Sequence, residues 1–409
     1  MRILFVHHYF PGQFKRIASH YVAEGHDVVA LHRGLNDGRA SSPIEGVRAI
    51  VYGDEAVSDR PEDHVLHDVD QYVREAASAG FRAVELKDSG WIPDLVYDHS
   101  GWGTGAFLHD VFPDAKHIRY CEWFFNNTAE SGEFLTGERP FESRFMNSLL
   151  NLPTLMDLAR ADLMIAPTDW QRRQFPDAIR RRIRIAPDGV DTTMFCPDPK
   201  ARFTTPEGKS FVRGDRVATY VARGADPFRG FQPFIEALGL AQAEDPSLHA
   251  LILGDRKVYY GSGAGREDHF NQVMQKAAVD PARTHFTGVL PYEQYLRALQ
   301  VSAAHIYLTV PFVLSWSAIE AMAAGCAFIG SDTAPVREFV EHGREGLLVG
   351  FDDPPAIASA IGRMLEAGPD VAEMRKAARR RILRSWRAEA AIRRHLSLVA
   401  SIPAKDQER

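Results

Sequence analysis

Short apolar runs alternate with longer amphipathic stretches along nearly the whole chain. In the first half the runs are RILFVHHYF (2–10), DVVALHR (27–33), GVRAIVY (46–52), PDLVYDHSGWG (93–103), KHIRYCEWFF (116–125), DLMIAPTD (162–169) and RIRIAPDG (182–189). In the second half they are VATYVAR (217–223), HALILGD (249–255), THFTGVL (284–290), AAHIYLT (303–309), FIGSD (328–332) and GLLV (346–349). Runs this short, apolar at consecutive rather than alternate positions, are what a parallel sheet buries on both faces. Helices are predicted between them: FKRIASHYVAEG closed by Gly25, about 64–80, near 141–160, WQRRQF, 231–243, 266–278 and YEQYLRALQ. AIEAMAAG, stopped by Gly325, follows, then PVREFVEHG and PAIASAIGRMLEAG. Strand–helix alternation through both halves predicts an α/β protein with two doubly wound parallel sheets.

Three stretches break the rhythm. PDGVDTTMFCPDPKARFTTPEGKS (187–210) is rich in Pro, Gly, Asp and Thr without periodicity and reads as an interdomain linker. Residues 126–140 read as a mobile loop. The tail from Asp370 is helical and Arg-rich, with Trp386 marking a break.

At 409 residues the chain is long for one core, which agrees with two domains. Charged residues make up 25% and apolar ones 45%, as in a soluble globular protein, and a net charge of −6 gives no electrostatic pull toward nucleic acid. Cys121, Cys196 and Cys326 stand far apart and form no CxxC, which points to a reducing compartment and away from a cysteine-rich metal site. No apolar run is long enough to span a bilayer, and Met1 leads straight into a strand. A cytoplasmic protein is expected, with any membrane contact peripheral. The basic segments 180–184 and 379–384 are candidates for such contact, although solvated helix faces are the commoner use.

Candidate chemistry concentrates at strand ends. PFVLSWSAIEAMAAGC (311–326) reads as strand end, loop and helix, with Ser315 or Ser317 as the cap. A helix N-terminus there presents N–H groups and a positive dipole to an anion such as a diphosphate. Glu320, one turn in, is an acceptor placed for two ribose hydroxyls. VARGADPFRGF puts Arg223 at a strand end and Arg229 before a helix, two cations for the same diphosphate. FTGVLP (286–291) ends a strand with a turn whose backbone suits a base edge. In the first half, Gly12 in PGQF permits a close backbone approach, His99 sits at a strand's carboxyl end, and Glu122 ends another. His64, His67, Asp68 and Asp70 have near-helical spacing, read as a solvated face rather than a metal site. GSGAG (261–265) lacks the GxGxxG spacing and reads as a flexible loop.

Taken together, PGQF, PDGVDTTMF, Arg223 with DPFRGF, FTGVLP and SWSAIEAMAAGCAFIGSDTAPVREFVEHGREGLLV resemble the retaining nucleotide-sugar glycosyltransferases of family 4, over nearly the whole chain. DHSGWG with APTDWQRRQFP resembles one bacterial branch. The resemblance implies a GT-B fold, two Rossmann-like domains facing across a cleft: 1–190 on the acceptor side, a linker 191–210, a nucleotide-sugar domain 211–385, and a helix 386–409 crossing back. It implies donor contacts from Gly12, Arg223, Arg229, Gly254, Val289, Leu290, Leu314, Ser315, Trp316, Ser317 and Glu320. His99, Arg223 and Arg229 become the catalytic groups, and Glu122 a weaker candidate for the acceptor. Neither a cofactor nor a metal is implied; the substrates are a UDP- or GDP-sugar and a glycan or lipid-linked acceptor. One position departs: the family's second Glu, eight residues before the ribose Glu, is here Phe312. Asp226 or Asp332 is a candidate replacement, and a changed donor is the alternative.

Two other classes stay open on sequence alone. A non-catalytic sugar-nucleotide sensor or partner subunit fits the loss of that Glu. A nicotinamide oxidoreductase would need a full glycine fingerprint after a first strand, which the chain lacks, and a sugar-nucleotide epimerase is a minor variant within the fold.

Overall fold

The computed structural model describes residues 1–33, 44–53, 59–61, 64, 66–127, 133–135, 137, 141–260 and 265–403. The chain forms two compact units. One holds Met1–Ala129, Thr136–Asp188 and Glu389–Arg409; the other holds Glu130–Leu135 and Gly189–Ala388.

The first unit is built on seven strands: β1 (Arg2–Val6), β2 (Asp27–Arg33), β3 (Val47–Tyr52), β4 (Leu95–His99), β5 (Lys116–Tyr120), β6 (Leu163–Ala166) and β7 (Ile183–Ile185). Their order is β3-β2-β1-β4-β5-β6-β7, and every pairing is parallel. Strand β1 shows why the apolar runs are continuous. Ile3 and Phe5 pack on one side with Phe14, Ile17 and Tyr21, while Leu4 and Val6 pack on the other with Ala79, Ala83 and Leu86. The last helix, Ala388–Ala400, joins the first side: His395 stacks on Tyr97 at 5.5 Å, and Lys116 donates to the Ile402 carbonyl at 3.0 Å. It follows the helix Pro369–Ser385, with Trp386 between the two.

The second unit carries an antiparallel pair, β8 (Arg202–Thr204) and β9 (Ser210–Val212), and a six-stranded parallel sheet. That sheet comprises β10 (Val217–Val221), β11 (His249–Leu253), β12 (Thr284–Gly288), β13 (Ala304–Tyr307), β14 (Phe328–Ser331) and β15 (Leu347–Val349), in the order β12-β11-β10-β13-β14-β15. In both units chain order reverses beside the first strand, between β1 and β4 and between β10 and β13. Open α/β sheets bind ligands outside the carboxyl ends of the strands at that point.

Some elements differ from the sequence reading. The segment taken as linker contains β8, whose Phe203 is buried against β10 and β11 residues. The first long helix is His67–Asp88, because Ala76, Ala79, Ala83 and Leu86 keep one buried stripe beyond residue 80, disguised by the exposed Phe81 and Val84. The helix near 141–160 is two, Phe141–Leu150 and Leu152–Ala159, parted at Asn151, whose amide bonds both backbone groups of Phe125. PVREFVEHG makes only the turn Ala334–Arg337 before the chain bends. Most of the loop 126–140, and residues 261–264 of GSGAG, lie outside the described residues. No helix among the described residues is long and apolar enough to cross a membrane.

Candidate active site

Arg229 is the centre of the second unit's switch point. Asp226 starts its short turn, Pro227–Arg229, by accepting from the Phe228 N–H at 3.2 Å. Gly230 ends the turn at φ 66°, where a Cβ would lie 2.7 Å from Leu308. The guanidinium is thereby carried inward and is only 6% exposed. It donates to the Tyr307 hydroxyl at 3.1 Å, to Thr309 Oγ1 at 2.9 Å and to the Val313 carbonyl at 2.9 Å. Among the described residues it makes no ion pair with a carboxylate. Its hydrogen bonds go to neutral acceptors, and the buried Asp226 carboxylate acts on its charge without pairing with it.

The helix Trp316–Ala324 begins beside it, because the Tyr307 hydroxyl also accepts from the Ser315 N–H at 3.0 Å. Ser315 occupies the cap position, but neither it nor Ser317 caps with its side chain as the sequence suggested. Their hydroxyls bond each other at 3.0 Å. Leu314 and Trp316 are half-buried against the apolar cluster beneath. Glu320 is 4% exposed, and its two oxygens accept from the hydroxyls of Tyr292 at 2.5 Å and Tyr295 at 2.7 Å. Burial and this carboxylate push the Tyr295 hydroxyl well above its ordinary pKa. The oxygens expected to face a ribose thus already hold two phenols, of which Tyr292 is 42% exposed.

The two arginines paired by sequence stand in different settings. Arg223 is exposed, with its guanidinium 4.4 Å from the centre of the Tyr259 ring. Tyr259 in turn donates to Asp255 at 2.7 Å. Gly254, at φ 134°, lets the Ala222 carbonyl approach to where a Cβ would be 2.0 Å away. It lines a cavity of about 530 Å³ with Gly288, Val289, Thr287 and Arg256. Val289 is 79% exposed and Leu290 is half-buried. Gly254 and Val289 therefore share one cavity, whereas Arg229, Ser315, Ser317 and Glu320 gather around the end of β13.

Both candidate replacements for the missing Glu are already engaged within the unit. Asp226 is 1% exposed, and beyond Phe228 it accepts from the N–H groups of Tyr259 at 2.9 Å and Tyr260 at 3.0 Å. Burial raises its pKa against those bonds. Asp332 is paired with Arg337 at 2.6 Å. Phe312 instead meets Phe228 and Tyr260 edge-on at 5.6 and 5.0 Å and lies 5.2 Å from the Arg229 guanidinium.

The first unit's switch point holds a polar relay. His99 accepts the Gly101 N–H on Nδ1 at 3.3 Å, which leaves its proton on Nε2, facing Glu122 at 3.2 Å. His7 accepts the Tyr9 N–H on Nδ1 at 2.9 Å and so donates from Nε2 to Gln13 at 2.7 Å. Gln13 passes this on, donating to the other Glu122 oxygen at 2.7 Å. Burial and the nearby His99 hold His7 well below its ordinary pKa. Gly12 is required here: at φ 42°, a Cβ would lie 2.2 Å from the His7 ring. At Gly12 the backbone closely approaches this imidazole of the same unit. Trp102 covers the relay, 4.1 Å from His99 and stacked on His8 at 5.2 Å. Sequence reasoning missed His7, Tyr292, Tyr295 and Tyr307, which lie in strand or helix patterns with no motif, and from PGQF it took Gly12 but not Gln13. For His7 the signal was two histidines interrupting an apolar run directly after β1.

Two Rossmann-like units, each with its polar cluster at the switch point, make the GT-B plan of glycosyltransferases. Residues 24–195 match the glycosyl transferase family 4 group and residues 215–367 match the glycosyl transferases group 1. The chain belongs to this family, with a family 4 domain followed by a group 1 domain. It is similar to the D-inositol 3-phosphate glycosyltransferase of Acidothermus cellulolyticus, 24% identical over 86% of this chain and 77% of that protein. It is 27% identical to the phosphatidyl-myo-inositol mannosyltransferase of Mycolicibacterium smegmatis over 49% of this chain and 48% of that one. Among solved structures, sucrose-phosphate synthase of Thermosynechococcus elongatus aligns over 98% of both chains with a TM-score of 0.73 at 18% identity. Anabaena HepE, solved with UDP-glucose, aligns over 98% of this chain and 100% of its own with a TM-score of 0.66 at 14% identity. At these identities the structural likeness is one of fold.

Proposed function

We propose that the chain transfers a hexose from a UDP- or GDP-sugar to a glycan or lipid-linked acceptor, with retention of configuration and without a metal. The observation that carries this reading is Arg229, a buried cation with no carboxylate partner among the described residues, beside a helix N-terminus that no side chain caps. A diphosphate placed there would receive the charge stabilisation its departure needs. Retention follows if the acceptor hydroxyl attacks the face the diphosphate leaves. The C–O bond to the leaving phosphate breaks, the new glycosidic bond forms, and the departing phosphate oxygen takes the hydroxyl proton. No carboxylate nucleophile is then required. Arg223 would reach the diphosphate from the exposed side. Gly254, Val289 and Leu290 would meet the nucleoside, and Glu320 the ribose once Tyr292 yields. Glu122 and His99 offer an acceptor and a donor to sugar hydroxyls on the first unit. Lipid-linked acceptors would be met by peripheral contact.

The relatives are named for inositol-based acceptors and, in Mycobacterium tuberculosis, for GDP-mannose, so these are the first substrates to try. The test is a thermal-shift screen against UDP, GDP, ADP and NAD(H), followed by mass spectrometry of products with inositol phosphate and phosphatidylinositol. A shift with UDP or GDP and a product of retained anomeric configuration is expected. No shift with either nucleotide would overturn the donor reading, and an inverted product would overturn the mechanism.

A further inference from the structure

The rings around Arg229 carry information about the sugar itself. Phe228 and Tyr260 lie nearly parallel, 18° apart with centres at 6.5 Å, and Phe312 stands across both at 85° and 71°. All three residues are half-buried, so the cluster presents an apolar wall at the mouth of the switch point. Phe228 and Phe312 pack against the core on one side of the sheet, whereas Tyr295, Leu314 and Trp316 pack with the core on the other, where Glu320 points. Arg229 bridges the two, bonded to Tyr307 and facing Phe312. A nucleoside diphosphate with its ribose at Glu320 and its phosphates at Arg229 leaves its next group against the rings.

Among the described residues, the two carboxylates considered for that group are already engaged. Both oxygens of Asp226 accept backbone N–H groups, and Asp332 is paired with Arg337. We infer that the wall of Phe228, Tyr260 and Phe312 selects a donor sugar that turns a methyl group toward it, either a 6-deoxyhexose or a 2-acetamido sugar. The inference rests on the donor reading above and deepens it. A hydroxyl set against three rings loses its water without a replacement, while a methyl gains contact.

The test separates the two ideas. Calorimetry first measures UDP and GDP alone; binding of one of them tests the donor site. Matched pairs then isolate the sugar: UDP-glucose against UDP-6-deoxyglucose and UDP-N-acetylglucosamine, and GDP-mannose against GDP-6-deoxymannose. At least one methyl-bearing donor should bind about 10-fold tighter than its hydroxyl parent, the size of effect one methyl-sized change brings in an apolar site. A gain confined to the 6-deoxy pair or to the acetamido donor identifies which methyl is read. In F312Q that ratio should fall toward one, a readout in which any change of nucleotide affinity cancels. Ratios within about 2-fold of one in the native protein, with UDP or GDP bound, would overturn the inference and leave the donor site standing. Failure of both nucleotides to bind would overturn the two together.

Discussion

Replacing Arg229 by methionine separates a structural arginine from one kept for an anion. The guanidinium is 6% exposed and has no carboxylate partner among the described residues, so the ligand-free fold carries a desolvation cost of several kcal/mol for it. Against that stand three hydrogen bonds. Their loss is softened: Thr309 still donates to the Val310 carbonyl at 2.8 Å, and Tyr307 keeps the Ser315 N–H at 3.0 Å. The Val313 carbonyl, which has no such second bond through a side chain, bears the main loss, about 1–3 kcal/mol. The methionine stem fills the space between the rings. The two sides nearly cancel, and R229M should change ligand-free stability by no more than about 2 kcal/mol in either direction. Binding behaves differently. Native protein with UDP or GDP at a hundred times its Kd gains about 2.7 kcal/mol. Loss of a charge contact worth a hundredfold in affinity would leave about 0.4 kcal/mol at the same concentration. Urea unfolding with and without nucleotide measures both quantities on one sample. An R229M protein that loses more than about 4 kcal/mol unliganded, yet keeps the nucleotide increment, would refute the assignment and make the arginine structural.

Three further outcomes are expected. G12A should lose about 2 kcal/mol or more, since the new Cβ would sit 2.2 Å from the His7 ring at a left-handed φ of 42°; unchanged urea stability would discredit the geometry of the relay. E320A should weaken nucleotide binding about 10-fold, while Y292F, which removes the phenol competing with a ribose, should leave it unchanged or tighter. Equal losses in both, by calorimetry, would place the Tyr292 hydroxyl in the site. His395, half-buried and stacked on Tyr97, is pushed down to about 4 by desolvation. Its folded value lies below its unfolded one near 6.5, so the unfolded chain binds the extra proton first. Stability should be intact above about pH 6.5 and fall by about 3 kcal/mol as pH drops to about 4. H395Q should flatten that slope, and an equally steep slope in H395Q would assign the acid sensitivity to another group.

The alternation of apolar runs was enough to read both sheets, because strands buried on two faces need nothing but apolar residues, as Ile3 to Val6 show. Boundaries were less legible where burial and hydropathy part company. The long helix continues past residue 80 on Ala83 and Leu86, while the exposed Phe81 and Val84 spoil its pattern. The strand β8 hid in a Pro- and Gly-rich segment because a three-residue edge strand needs only one buried side chain, Phe203. In the candidate site, charged residues at strand ends were visible as types and positions. Their partners were not. That Asp226 is consumed by three N–H groups, or Glu320 by two tyrosines, depends on loops meeting from distant parts of the chain.

The two switch points carry opposite charges, Arg229 in the second unit and Glu122 in the first. In the second unit a fixed cation makes no ion pair among the described residues, although Asp226 acts on its charge from nearby, and it would suit a diphosphate. In the first unit Glu122 accepts from the Gln13 amide and the His99 imidazole, and burial, ahead of the neighbouring His99, holds His7 well below its ordinary pKa. Such a carboxylate suits hydroxyls and disfavours phosphate. An acceptor that carries a phosphate would then have to direct it away from Glu122 and offer a ring hydroxyl instead. E122Q keeps the shape and removes the charge, so it separates the two cases. It should weaken an unphosphorylated polyol by removing a charge-assisted bond, and it should relieve repulsion for a ligand whose phosphate does lie there. Tighter binding of an acceptor phosphate to E122Q would therefore reverse the orientation argued for the first unit.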